Sequence, residues 1–219
     1  MEKVIARTEA HLYLAKNGLN HALAYVQIEN PSNKVPYHNL DHMLTVVKWC
    51  GRLGAMCSIT PQEEKALILA AIFHDFDHTA GNEDDDVNIK RAIAGLERFG
   101  EIHRVDEELL AAAHDLIQVT QFPFIFTPQT ITEKIIRDAD LLQSLEPNRV
   151  EVLVEGLRKE LEVKFKRKIP RGEFCENQVK FLDGLKLYTT PAQVIFDAAK
   201  PYLFSEFAAI AERGKRKSV

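Results

Sequence analysis

His74 and Asp75 stand side by side at the end of the apolar run Leu69-Ala-Ala-Ile-Phe73, where an imidazole next to a carboxylate needs something to balance its charge. A buried, unpaired carboxylate is strongly destabilising, so a cation or a dense hydrogen-bond network is expected beside this pair. His38 and His42, four residues apart in Tyr37-His-Asn-Leu-Asp-His42, fall on one face if a helix starts at about Tyr37. Further on, Asp138-Ala-Asp140 interrupts the apolar run around Ile135 and Leu141. A histidine, a His-Asp pair and a distant aspartate, each on its own helix, make a set of two nitrogens and two oxygens that suits a first-row transition metal better than calcium. The same step recurs at His114-Asp115, so the dipeptide alone decides little and one of the two is expected to be structural.

At these residues the chain resembles the HD-domain metal-dependent phosphohydrolases, whose signature is a His, a later His-Asp pair and a final Asp on a helical bundle. Tyr37-His-Asn-x-x-His42 and His74-Asp-x-Asp-His78 look like the motifs of the cyclic nucleotide phosphodiesterase catalytic core. The resemblance runs from about Tyr37 to Leu145 and implies that His42, His74, Asp75 and Asp140 are metal ligands and that His38 is a general acid. It implies one or two divalent ions, drawn from manganese, iron, zinc, cobalt, nickel or magnesium. Asp138, His78 and His114 are then candidates for contacts just outside the ligands or for a second ion. The chain departs from the phosphodiesterase pattern where His78 is followed by Thr79-Ala80-Gly81 instead of Pro-Gly, and the acidic loop Asn82–Asn88 leading into Ile89 looks more like that of small stand-alone HD hydrolases.

Two segments are similar to the glutamine and phenylalanine that grip a purine in those enzymes, Gln178-Val-Lys-Phe181 and Gln193-Val-Ile-Phe196, and only one can be the counterpart. A glutamine amide can read a base edge while a phenylalanine three residues later stacks on the ring, although either phenylalanine also fits a helix core. The acidic run Asn82-Glu-Asp-Asp-Asp-Val-Asn88 reads as a solvated helix N-terminus, where acids favour the dipole, or as outer support for a metal site.

The residues restrict the chemistry. A divalent ion lowers the pKa of bound water enough to supply hydroxide near neutral pH, and a second ion sharing Asp75 would hold it in line with a phosphorus atom. No phosphate-cradling glycine loop and no serine or cysteine nucleophile motif is present, which favours water over a covalent intermediate. His38 would protonate a departing alkoxide. Phosphoester hydrolysis of a nucleotide follows, with a cyclic or linear phosphodiester favoured by the resemblance. A nucleotidase or deoxynucleotide phosphohydrolase is the alternative, favoured if Arg137, Lys90 and Arg91 turn towards a terminal phosphate. A non-catalytic HD module sensing a ligand or metal ranks last, because no ligand is missing.

These residues must be positioned by helices. Apolar residues recur three and four apart through most of the chain, and the sequence predicts an all-α, single compact bundle of about eight or nine helices of the HD type spanning 1–219. Thr60-Pro61-Gln-Glu63 predicts a capped helix from about Pro61 to His74. Thr127-Pro128 and Thr190-Pro191 repeat that start signal. Asp106 opens a helix towards Gln121, and Pro147-Asn148 precede an amphipathic helix from Val150 to Lys164. His11, His21 and His103 have no partner in sequence and read as surface or core residues. Cys50, Cys57 and Cys175 are odd in number and read as free thiols. No apolar run is long enough to span a membrane and no signal peptide is evident, so a cytoplasmic location is expected. The net charge of -4 argues against general nucleic-acid binding, with Lys164–Lys168 and Lys215–Lys217 read as solvated basic clusters. Oligomeric state has no sequence signal.

Overall fold

In the computed structural model the backbone is described for residues 2–142 and 149–216 and the side chains for 7–142 and 150–213. Pro147, Asn148 and the cluster 215–217 lie outside the described side chains. The described residues are helical, with no strand: α1 (Glu2–Lys16), α2 (Asn20–Glu29), a 3-10 turn (Pro31–Lys34), α3 (Leu40–Met56), α4 (Pro61–Phe73), α5 (Asp85–His103), α6 (Glu107–Gln118), α7 (Ile131–Leu142), α8 (Arg149–Val152), a π-turn (Leu153–Leu157), α9 (Arg158–Lys164), α10 (Arg171–Asp183) and α11 (Thr190–Arg216). Because α8, the π-turn and α9 run on without a break, the described chain forms ten rods, slightly more than expected.

From Ala66 to Phe73 α4 is apolar on every side and wholly buried, at the centre of the bundle. It packs against α2, α3, α5, α6 and α7. Its start is the expected capping box, in which the Glu63 amide donates to Thr60 Oγ1 and the Thr60 amide to the Glu63 carboxylate. Two other start signals move by a residue or more. Thr130, not Thr127, caps α7 through a reciprocal pair with Glu133, because Glu133 is the acid three residues downstream that the box needs. Thr189, not Thr190, caps α11 by accepting from the Ala192 amide. Asp106 caps α6 through the Leu109 amide as expected, although the helix stops at Gln118.

The bundle brings three chain ends together: the first turn of α3, the C-terminus of α4 and the last turn of α7. α3 packs on both α4 and α7, which fixes this convergence. His21 and His103 lie against the ring of Phe99, with centroids 5.2 and 4.7 Å away, and His11 is exposed. The three cysteines are free thiols. Among the described residues no helix is long and apolar enough to cross a membrane.

Candidate metal centre

The α3 helix starts at Leu40, not at Tyr37, because the Asn39 side chain caps it by accepting from the Asp41 and His42 amides. His42 therefore projects from the first turn, while His38 sits in the bend before it. His74 follows the last residue of α4, and its Nδ1 donates to the Ala71 carbonyl at 2.8 Å. That bond fixes the tautomer and leaves Nε2 to face the centre. Asp75 is held by its backbone: its carbonyl accepts from Ser32 Oγ, and Asn30 Oδ1 accepts from the Asp77 amide at 2.9 Å. Asp140 comes from α7.

Four donor atoms meet. His42 Nε2 lies 3.1 Å from His74 Nε2, 2.9 Å from Asp75 Oδ2 and 3.3 Å from Asp140 Oδ1, and His74 Nε2 lies 3.1 and 3.7 Å from the same two oxygens. Ligand atoms each about 2.1 Å from one ion are about 3.0 Å apart at octahedral corners and about 3.4 Å apart at tetrahedral ones. Asp75 Oδ2 is buried and, despite its two near nitrogens, receives no hydrogen bond. The separations are close to those of ligands around one ion, and His42 Nε2 and His74 Nε2 are also within hydrogen-bond reach of each other. His42, His74 and Asp140 form one group able to hold an ion, and His38, Asp75 and His78 form another.

The charges agree with this geometry. Burial opposes ionisation of His74, Asp75 and Asp140, but the two carboxylates override it and hold His74 well above the usual histidine range. In turn His74 and His38 hold Asp75 well below the usual carboxylate range, and His42 and His74 do the same for Asp140. The positive charge on His74 balances the two carboxylates.

His38 has a partner that sequence reasoning missed. Its Nδ1 lies 2.5 Å from Glu160 Oε2, while Glu160 Oε1 accepts from the Tyr37 and His38 amides. Burial would lower the His38 pKa, yet Asp75 and Glu160 raise it to about 9. Two glycines make room. A Cβ on Gly156 would stand 2.6 Å from the Pro36 carbonyl, and one on Gly81, at φ +89°, would stand 2.2 Å from the Glu160 carbonyl. The available signal for Glu160 was an acid on the apolar stripe of the helix, seven residues after buried Leu153.

His78 lies over the ring of His38, with centroids 3.9 Å apart. The Ala80 amide faces its Nδ1 and the Asn88 amide group its Nε2. With these donors around it, burial and the charge on His38 push its pKa down to about 3, so it stays neutral. The acidic run divides accordingly: Asn88 is buried and ties Thr79 to His78, Asp85 accepts from the Phe122 amide, and Glu83 and Asp84 are exposed.

No protein-family model and no curated protein matches this chain. The remaining expected residues must be judged by their contacts. Asp138 belongs to neither donor group: it is fully buried and accepts from the Tyr188 and Thr189 amides and from Thr189 Oγ1, anchoring the start of α11. His114 pairs with Asp115 and reaches Gln118, also outside both groups. Gln193 accepts from the Leu187 amide and donates to Asp197, and Phe196 is a core residue only 1 % exposed, so this pair is structural. Phe181 instead lines a cavity of about 280 Å³, with Gln178 half-buried on the same helix. Lys90 pairs with Asp86, Arg91 with Asp77, and Arg137 is buried, so none of the three is a free cation at the centre. His42 Nδ1 is buried without a hydrogen-bond partner and borders a cavity whose polar lining includes Asp41 and Glu155.

Proposed function

We propose that the chain is a metal-dependent phosphohydrolase of the HD type that cleaves a nucleotide phosphodiester, with His38 as general acid. The observation that carries this reading is the convergence of His42, His74, Asp75 and Asp140 beside a histidine whose far nitrogen is held by Glu160. His42, His74, Asp75 and Asp140 would hold a divalent ion, which would supply Lewis acidity and make water acidic enough to attack near neutral pH.

The chain's own residues do the rest. Asp75, whose carboxylate faces His42 and His74 on one side and His38 on the other, aligns the attacking water. The water oxygen bonds to phosphorus and sheds its proton to solvent, and the bond from phosphorus to the sugar oxygen breaks. That oxygen takes the proton from His38 Nε2, and Glu160 stabilises the imidazolium beforehand through Nδ1. Neutral His78 stacks on the acid and keeps the ring in place. Asp85 and Asn88 position His78 from α5.

The test is product release from cyclic nucleotides, nucleoside mono- and triphosphates and a nitrophenyl phosphodiester with manganese, in parallel on Asp75→Ala. Metal-dependent diester cleavage lost in the variant supports the reading. Turnover confined to mono- or triphosphates replaces it with a nucleotidase, and metal binding with no turnover replaces it with a sensor.

A further inference from the structure

From Leu116 to Thr132 the chain carries no charged side chain, although 27 % of all its residues are charged. The middle of that run, Phe122-Pro-Phe-Ile-Phe126, is an open loop between α6 and α7 and not part of the core. Ile125 is 65 % exposed, and Phe122, Phe124 and Phe126 lie between 38 and 50 %. The apolar surface continues onto the elements beside the loop. Phe122 and Phe124 meet edge-on with centroids 5.1 Å apart, and Phe122 meets Phe181 of α10 in the same way at 6.2 Å. Phe181 and Tyr188 are themselves exposed to a similar degree.

Single apolar residues on a surface are ordinary, but a contiguous patch beyond a few hundred Å² is rare on a monomer. At about 200 Å² for each large side chain, the exposed parts of Phe122, Phe124, Ile125, Phe126, Phe181 and Tyr188 amount to roughly 500 Å². Two such faces in contact remove on the order of 1,000 Å² from water before any rim is counted, the scale at which specific interfaces begin. The patch also has relief: Phe122, Phe124, Phe181, Leu185 and Tyr188 line the cavity of about 280 Å³, whose wall is thus partly the loop itself. None of His42, His74, Asp75 and Asp140 lines it, so it is separate from the candidate metal centre.

We propose that this face pairs with the same face of a second copy of the chain, with Ile125 of each copy entering the cavity of the other. A contact about a two-fold axis must be self-complementary. An exposed side chain and a cavity on one face meet that condition, and a loop without charges brings no like charges together at the axis. Lys186 stands at the cavity edge, where its long chain can turn the ammonium to water. An anionic membrane is a poorer occupant, because the chain has a net charge of -4 and the run from Leu116 to Thr132 supplies no basic residue to hold lipid head groups.

The experiment is sedimentation velocity of the full chain at micromolar concentration, with Ile125→Asp and Leu12→Asp beside it. Leu12 is 64 % exposed, much like Ile125, but lies on α1 outside the patch, so both changes are made at the surface. The wild type and Leu12→Asp should sediment at twice the chain mass. Ile125→Asp should sediment as a monomer with the same circular dichroism, its self-association weakened on the order of 100-fold because a carboxylate would enter each apolar cavity. A monomeric wild type, a dimer that persists in Ile125→Asp, or a dimer lost equally in Leu12→Asp overturns the inference. A monomer that co-sediments with neutral phospholipid vesicles, and no longer does so in Ile125→Asp, overturns it in favour of a lipid surface. None of these outcomes depends on hydrolysis, so the hydrolase reading stands or falls separately.

Discussion

Glu160 Oε2 and His38 Nδ1 are 2.5 Å apart although 122 residues separate them in the chain. The contact makes the proposed acid a carboxylate–imidazole pair, and its removal has a defined signature. Glu160→Gln keeps an acceptor for the Tyr37 and His38 amides but loses the charge, so the His38 pKa falls. A general acid works below its pKa and fails as pH rises through it. The alkaline limb of kcat/KM against pH should move to lower pH by about one unit or more. Turnover of a diester with an alkoxide leaving group should drop on the order of 100-fold. With a nitrophenolate leaving group, which needs no proton, the loss should be a few-fold at most. Equal losses on both substrates would assign Glu160 to folding alone.

Metal binding should release protons. His74 is held well above the usual histidine range in the metal-free chain, so it is protonated at neutral pH and must give up that proton to become a ligand. Asp75 and Asp140, held low, are already ionised and release none. The sign follows: manganese affinity should rise with pH, about tenfold per unit for each proton displaced. In the metal-free chain the raised His74 pKa contributes stability that is complete below the ordinary histidine value and fades as pH rises through the folded one. Calorimetry in buffers of different ionisation heat counts the protons; a count of zero from pH 6 to 8 would contradict the shared-proton picture.

Two aspartates on one turn of α7 should behave differently. Asp140→Ala should abolish metal binding and, in chelator, lose the part of the stability that its pairing with His74 contributes. Asp138→Ala should leave metal stoichiometry unchanged but destabilise the chain by about 2–4 kcal/mol, because the buried Tyr188 and Thr189 donors lose their acceptor. Urea unfolding with and without manganese separates the two; the reverse pattern would exchange their roles.

Gly81→Ala should destabilise by about 2–4 kcal/mol, from the left-handed backbone at φ +89° and from the clash with the Glu160 carbonyl. Because that clash displaces the helix bearing Glu160, activity in the folded fraction should fall more than in Thr79→Ala, which keeps the backbone. A Gly81→Ala chain of wild-type midpoint and wild-type rate would show that the approach is not tight.

His74, Asp75 and Asp140 stood out in the sequence as polar groups at or within apolar helical runs, while His42 was singled out by its spacing from His38 and by the resemblance; the structure brings the four side chains together. The capping box at Thr60 was legible locally. What was not legible depended on contacts between distant segments. Asp138 and Asp140 carry the same local signal, and only the docking of residues 188 and 189 separates them. The start of α3 was misplaced because spacing alone cannot tell that Asn39 spends its side chain on a cap. Gln193 looked like a reader of ligands until its amide was found between Leu187 and Asp197. Glu160 carried a signal, an acid on an apolar face, but its partner lay outside any window.

α4 is buried from Ala66 to Phe73 and ends at His74. Water screens the buried last turn of α4 little, so the negative pole of the helix acts on the space beside His74 and Asp75. A cation there is attracted by that pole as well as by its two carboxylates. A phosphate arriving without one would meet that pole as repulsion. If the site is the proposed metal centre, the central helix would favour entry of the ion before the anion.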